Sequence, residues 1–420
     1  MELLLKLSVT HLLENVGVPG LINGERLAAV RAFNLAHLSS SAISLTQTPD
    51  IWAPTTLERM ANPLLFQPYL LRGLEIRNRL LVAPMCQYSA FNLDGVPGDW
   101  HLQHLGGLAR GGAGLVIVEA TAVTPEGRIS PQDLGLWNDE QEQAFSRITP
   151  LAHVHGAKIA IQLAHAGRKA STPPAFPGEG SGSLSEDQGG WETVAPSAIP
   201  FSDEFDTPRE LTVDEIAEIV QAFVDAASRA VRAGFDAVEI HAAHGYLLHE
   251  FLSPISNMRQ DAYGGSLENR ARLAREIVRA VRAEHPNLPM LVRISATDWV
   301  DGGFTAHDAA IVGAWFIEDG ADLIDVSSGA NVAGVRIPTG PSYQVALASH
   351  VRERGTPAGA VGLITTAFQA EGILASGQAD VILLGRPLLA NPHLPITWAT
   401  QLHAPSAESL IPKQYARARF

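Results

Sequence analysis

Cysteine is nearly absent. Cys86 is the single one in 420 residues, so no intrachain disulfide forms, which fits a reducing compartment. Charge is sparse and lopsided: charged residues make up 18 % of the chain, and the formal net charge is −14. An acidic chain does not displace the counterions of a nucleic acid, so no nucleic-acid partner is expected. No run reaches the roughly 18 uninterrupted apolar residues of a membrane span, so no membrane partner is expected either. Glu2 and Glu14 flank the short Leu3–Leu5 run, and no small-residue cleavage site follows, which argues against a secretory signal. Residues 24–46 carry Arg26, Arg31 and several serines, with Glu25 the only acid. The expectation is a cytoplasmic protein with a weakly structured extension over residues 1–60; a mitochondrial transit peptide is the alternative.

From Leu64 onward a rhythm appears. The candidate strands are Leu80–Pro84, Gly114–Ala120, Lys158–Ala164, Ala237–His241, Met290–Ile294, Leu323–Ser327, Pro357–Val361 and Val381–Leu384. Most are continuous apolar runs, as in parallel sheets buried on both faces. Helical patterns lie between them. In residues 215–233, Ile216, Ile219, Val220, Phe223, Ala226 and Ala230 recur at helical spacing. Residues 268–284 form another such pattern, with Ser266 as its N-cap. Eight strands alternating with helices predict an α/β fold, a (β/α)8 TIM barrel over residues 61–420. A doubly wound open sheet is the alternative, with fewer strands. Residues 66–76 read as a hairpin turning at Arg72-Gly73 and plugging the barrel floor. The connection after strand three, residues 167–211, is too long for a plain turn and is expected to cap the site. Its middle, residues 178–190, reads as a flexible insertion.

In such a barrel the polar residues at the C-terminal strand ends carry the chemistry. Gly362 follows strand seven, Gly385 and Arg386 follow strand eight, and Ser327-Ser328-Gly329 follow strand six. Small residues and a forked cation predict a phosphate site there. Arg293 lies inside strand five, as half of a salt bridge with an inward acid such as Glu239 or as a cation beneath a ring that becomes anionic. Gln162 in strand three is a core hydrogen bond or an amide reading a heterocycle's edge. Strand four ends in His241-Ala-Ala-His244-Gly-Tyr246. That cluster reads as a metal pair, as hydrogen-bond donors to a carbonyl oxygen with Tyr246 as proton donor, or as packing. No matching set of ligands on the other strand ends accompanies the histidines, so no metal is expected, though a metal-dependent barrel hydrolase stays open on these residues. Cys86 ends strand one, where it would face the site.

These residues resemble a family. Residues 83–89, 114–120 (with Val-Ile-Val-Glu-Ala), 161–170 (Ile-Gln-Leu-Ala-His-Ala-Gly-Arg-Lys-Ala), 239–254 and 261–270 (Asp-Ala-Tyr-Gly-Gly-Ser-Leu-Glu-Asn-Arg) are similar to the old yellow enzymes, FMN-dependent ene-reductases on a (β/α)8 barrel. Cys86 and the His241/His244 pair resemble the branch first known from bacterial and thermophilic enzymes. The resemblance covers residues 64–417. It implies FMN as cofactor, and NADPH or NADH as electron donor. It implies that Ala83, Pro84, Met85, Cys86 and Ala120 line the isoalloxazine, that Gln162 bonds its pyrimidine edge and that Arg293 stabilises its anionic form. Ser328, Gly329, Gly362, Gly385 and Arg386 are implied to surround the phosphate. His241 and His244 would grip the oxygen of an enone-type small molecule, Tyr88 would cap it, hydride would pass from flavin N5 and Tyr246 would deliver the proton. The segment Gln414–Arg417 is similar to one that places an arginine, here Arg417, in a neighbouring subunit's site, implying a homodimer or homotetramer. A flavin barrel serving a secondary-metabolite pathway, as isomerase or reductase on a specialised substrate, is the other reading. The N-terminal extension and the insertion within Ser171–Trp191 depart from the family's pattern.

Overall fold

The computed structural model describes residues 62–418. The extension expected over residues 1–60, and with it the transit-peptide alternative, lies outside them. Eight parallel strands, Leu80–Val82, Leu115–Ala122, Lys158–Ala164, Ala237–Ala242, Met290–Ser295, Leu323–Ser327, Ala358–Ala360 and Val381–Leu384, follow one another around a closed ring. The last pairs with the first, Ile382 opposite Leu80, and the first pairs with the second, Leu81 opposite Leu115. This is the (β/α)8 TIM barrel, and the alternative open sheet is excluded by that closure. Among the described residues no helix is long and apolar enough to cross a membrane.

Side chains alternate along a strand, so every second residue points into the barrel. The lower interior is therefore a small apolar cluster: Leu81, Leu115, Ile117, Ala160, Ala237, Leu291, Leu323, Val381 and Leu383, all buried. Leu71 and Ile76 join it from the hairpin Tyr69–Leu71/Leu74–Ile76, which turns at Arg72-Gly73 and closes the floor as expected. Arg72 adopts φ 53° at that turn, and its guanidinium reaches Asp322 at 2.9 Å, pinning the hairpin to the start of strand six.

The helices bury their apolar stripes against the outside of the ring. Helix Val213–Arg232 starts at Thr212, whose hydroxyl accepts from the Glu215 N–H while the Glu215 carboxylate accepts from the Thr212 N–H. Its Ile216, Ile219, Phe223, Ala226 and Ala230 are buried, and Val220 is partly so. The second helical pattern divides at Ala271 into Leu267–Arg270 and Arg272–Glu284, with Ser266 capping the first piece.

The long connection after strand three contains one two-residue parallel pairing, Val194–Ala195 beside Arg209–Glu210. Arg259 holds it down. That guanidinium, almost fully buried, donates to the Pro196 and Leu211 carbonyls and pairs with Asp261 at 2.6 Å. The expected flexible middle is instead tied in place. Ser183 N–H donates to Glu204 O, Leu184 N–H to Ser171 O, Trp191 N–H to Ser171 Oγ, and residues 186–188 form a capped 3-10 turn. Ser171, at φ 60°, collects both ends of the insertion, a role its sequence position does not announce.

Candidate active site

One step up from the apolar floor the interior becomes polar. Gln162, Glu239, Arg293 and Asp325 each stand two residues beyond a floor residue on their strands, so they share its inward face. All four are buried. Gln162 Nε2 donates to Glu239 Oε1 at 2.7 Å. The partner of Arg293 is Asp325, with Nε 3.0 Å from Oδ2, and not the Glu239 expected from the sequence. The register explains it: strand pairing sets Arg293 opposite Asp325, and Glu239 opposite Gln162.

Above this layer lies the turn that ends strand four. His241 is buried, and His244 and Tyr246 are half-buried. The rings of His241 and His244 stand 5.2 Å apart and perpendicular, and those of His241 and Tyr246 5.1 Å apart and perpendicular. The turn needs Gly245 at φ 70°, because a Cβ there would meet the Ala330 carbonyl oxygen at 2.3 Å. His249 fixes the turn from behind. Its Nδ1 accepts from the Gly245 N–H, and its Nε2 faces Asp298 at 3.1 Å.

Two contacts determine what the histidines offer. His241 Nδ1 accepts from the Ala243 N–H, so its Nε2 carries the hydrogen. His244 Nε2 lies 2.8 Å from Ser327 Oγ, while Ser327's other acceptor, Gln344 Oε1, is 3.5 Å away and already receives Ser328 Oγ at 2.6 Å. With the Ser327 hydrogen given to His244, the His244 hydrogen is on Nδ1; with it given to Gln344, His244 Nε2 is the donor to Ser327. Burial first, and Arg293 next, hold both imidazoles well below the usual histidine range, so both are neutral. Burial pushes the Tyr246 phenol well up.

Strand one ends in a half-buried run, Pro84, Met85, Cys86, Gln87 and Tyr88, at the same mouth. Strand two bulges between Val118 and Ala120, so that Ala120 pairs with Gln162 and Glu119 is the extra residue. The bulge re-aims the Glu119 carboxylate at the Gln87 N–H, 2.6 Å away. Among the described residues one trio of potential metal-ligand atoms comes together, Cys86, Glu119 and Asp133, within 4.8 Å of one another. The two histidines are not part of it. Burial, then Asp133 and Glu119, push the Cys86 thiol well up, and burial and Glu119 push Asp133 up to about 7.

Tyr88 and Tyr246 line one small cavity of about 210 Å³ with Lys169, Phe205 and Gly180-Ser181-Gly182 of the insertion. Phe176 meets the Tyr88 ring edge-on at 5.4 Å. Lys169 Nζ donates to the His244 and Ala330 carbonyls at 2.8 and 3.0 Å and lies 5.0 Å from the Tyr246 ring centre. Burial lowers this lysine to about 8. A second cavity, about 390 Å³, opens between the ends of strands seven and eight and is lined by Gly362, Leu363, Ile364, Thr365, Gly385 and Arg386, among others. Gly385 faces Met85, whose sulfur lies 3.4 Å from where a Cβ would be. Ser328 and Gly329 do not line this cavity. The Ser328 hydroxyl is engaged by Gln344, and the Gly329 carbonyl accepts from Ser295 Oγ. Arg417 is exposed and makes no hydrogen bond or ion pair with the described residues; nearby Tyr415 stacks near Arg110 and His393.

Residues 64–404 match the NADH:flavin oxidoreductase / NADH oxidase family. The chain belongs to that family. It is 48 % identical over 357 residues to an NADPH dehydrogenase of Geobacillus thermodenitrificans, covering 85 % of this chain and 98 % of that one. A Bacillus pumilus NADPH dehydrogenase is 48 % identical over 355 residues, covering 84 % and 98 %. Among solved structures, morphinone reductase in complex with tetrahydroNAD is 30 % identical with a TM-score of 0.67, covering 82 % of this chain and 94 % of that one. The old yellow enzyme homologue from Zymomonas mobilis gives 30 % and 0.67, covering 81 % and 93 %. This family member is thus an old yellow enzyme and an oxidoreductase that uses FMN and NAD(P)H. Its residues fit the flavin. A glycine-lined cavity carries Arg386 for a phosphate, half-buried Pro84–Cys86 offer an apolar rim beside it, and Gln162 and Arg293 supply an amide and a cation in the layer beneath the mouth.

Sequence reasoning missed Glu119, Lys169, Ser327 as a histidine partner, Gln344, and the His249–Asp298 pair. Lys169 had a signal, as a cation inside a strand-end motif. Glu119 had none, because a bulge leaves no mark in an apolar run. The Cys86 environment generates a prediction. Asp133→Asn removes a carboxylate beside the thiol, so more thiolate forms at a given pH. Iodoacetamide labelling at about pH 8, followed by mass spectrometry of this single-cysteine chain, is expected to run several-fold faster than in wild type. An unchanged rate would separate Asp133 from the thiol.

Proposed function

We propose that this chain reduces the activated C=C bond of α,β-unsaturated carbonyl or nitro compounds. The observation that carries the reading is the perpendicular His241–His244–Tyr246 cluster at the barrel mouth, directly up the strands from Arg293 and Gln162. When bound, FMN supplies the hydride chemistry between nicotinamide and alkene. Ala83, Pro84, Met85, Cys86 and Ala120 would flank its ring, Gln162 and Arg293 would meet its pyrimidine side, and Gly362, Gly385 and Arg386, with Ser328 and Gly329 behind them, would hold its phosphate.

The remaining work belongs to the substrate side. His241 Nε2–H and His244 Nδ1–H donate to the carbonyl or nitro oxygen, where negative charge grows as the β-carbon accepts hydride; each such donor is worth about 10²–10³ in rate. Being neutral, each ring offers one such donor. Tyr246 holds its proton in the buried site until the α-carbon takes it. Tyr88, backed by Phe176, covers the alkene, and the Gly180–Gly182 segment bounds the space left for it. The same reading makes the protein a cytoplasmic homodimer or homotetramer in which Arg417 enters a neighbouring site. Support for that part is the likeness of residues 414–417 to the family's segment and the exposed position of Arg417.

Tyr246→Phe is expected to slow alkene reduction by about 10²–10⁴ while NADPH consumption in the first half-reaction stays near wild type; stopped-flow absorbance separates the two, and equal losses in both would remove the proton-donor role. Replacing His241 or His244 with Ala is expected to weaken phenol binding, since a phenolate carries its charge where the reduced substrate does. Phenol titration by difference absorbance checks this, and unchanged affinity would take the pair out of that role. Arg417→Ala is expected to raise the substrate KM in an assembly of unchanged size by sedimentation; a fully active monomer would discard the shared site.

A further inference from the structure

The polar layer at mid-barrel has more negative groups than positive ones. Glu239 and Asp325 face a single cation, Arg293; the fourth member, Gln162, carries no charge, and His241 just above is neutral. Glu239 and Asp325 are both completely buried. Two carboxylates against one guanidinium leave an uncompensated charge in the interior of a closed barrel, where solvation does not offset it.

The hydrogen bonds show where the imbalance sits. Glu239 Oε1 accepts from Gln162 Nε2, but Glu239 Oε2 has no partner. Both Asp325 oxygens lack an aligned donor as well: Arg293 Nε is close enough to Oδ2 for an ion pair, but its N–H does not point at the oxygen. One proton on one of the two acids removes the excess charge, and Glu239, which Arg293 does not bridge, is the one left to take it. We infer that Glu239 is a neutral carboxylic acid in the working protein, protonated on Oε2, and that it is the positioning residue that keeps the Arg293 charge available to the flavin. Asp325, salt-bridged to Arg293, is the ionised member. Burial raises Glu239 to about 8, with Asp325 adding to that and Arg293 and Gln162 opposing it.

The arrangement has two consequences. With Glu239 neutral, Gln162 is anchored by one N–H and the layer as a whole carries no net charge. If Glu239 were ionised, the layer would be negative and would oppose any negative charge arriving above Arg293. The second half of the inference rests on the proposed placement of FMN over this layer; the protonation itself does not.

The experiment is arranged to keep those two apart. Infrared difference spectra of the full chain as purified, wild type minus Glu239→Gln, are expected to show the carbonyl stretch of a protonated acid at neutral pH, fading as pH rises through about 8. Asp325→Asn removes the neighbouring anion and leaves Arg293 unopposed, so Glu239 ionises more readily and the band is expected to fade at a lower pH than in wild type. If Glu239→Gln fails to fold, the shift of one band between wild type and Asp325→Asn identifies it, because the other raised acids, Glu250 and Asp133, owe nothing to Asp325. Absence of the band from the wild-type minus Glu239→Gln spectrum at neutral pH, or fading at an unchanged pH in Asp325→Asn, overturns the protonation. The midpoint potential of the bound flavin is expected to fall more steeply with pH above about 8 in wild type than in Glu239→Gln, because placing negative charge over the layer draws a proton onto Glu239. Parallel slopes with the infrared band present would leave the neutral acid standing and remove its link to the flavin. A preparation that holds no flavin would count against the proposed function and leave the infrared result untouched.

Discussion

A guanidinium sunk into a closed barrel is the constraint around which this molecule is organised. Arg293 sits almost without solvent in strand five, and such a charge is tolerable only if its neighbours answer it. The answer comes from register. Parallel pairing sets Asp325 beside Arg293 on strand six, while strands three and four bring Gln162 and Glu239 together. The apolar floor below excludes water and strengthens every interaction in the layer. The neutral state of the two histidines has the same source, since burial and the nearby Arg293 both oppose a positive imidazole. Burial, with this one cation behind it, thus keeps the two imidazoles above the layer uncharged.

The mouth is built with comparable economy. The turn from His241 to Tyr246 is backed by His249 and Asp298, held at its crest by Lys169, and made possible by a glycine pressed against the Ala330 carbonyl. The capping segment is fastened by Arg259 on one side and by Ser171 on the other. Both anchors are single residues taking several backbone partners, so the capping segment is held by hydrogen bonds and not by apolar burial alone.

What the sequence made legible follows from which physics leaves a periodic mark. The eight strands were readable because both faces of each are buried, and the strands Lys158–Ala164, Leu323–Ser327 and Val381–Leu384 agree to the residue. The floor hairpin was readable from its turn. The His241–Tyr246 cluster and the glycine-lined cavity with Arg386 were readable because polar or small residues at strand ends stand out against apolar runs. The partner of Arg293 was not, because register depends on tertiary closure and no local pattern distinguishes Glu239 from Asp325. Nor was the bulge at Glu119, since Val-Ile-Val-Glu-Ala looks the same with or without it. The restraints on the insertion were hidden for a related reason: its glycines and serines suggest looseness, whereas here Leu184 and Ser183 bond backbone carbonyls and the Ser171, Ser181 and Ser183 hydroxyls each take a partner.

The hairpin at the floor has a bearing on traffic. With Leu71 and Ile76 wedged among the lowest side chains and Arg72 latched to Asp322, the barrel is a vessel corked at one end. Any molecule that approaches the layer of Gln162 and Arg293 must come and go by the opposite end, where the strand-end residues Tyr88, Tyr246 and Arg386 stand. Two visitors needing that same face must therefore take turns, the first departing before the second is admitted.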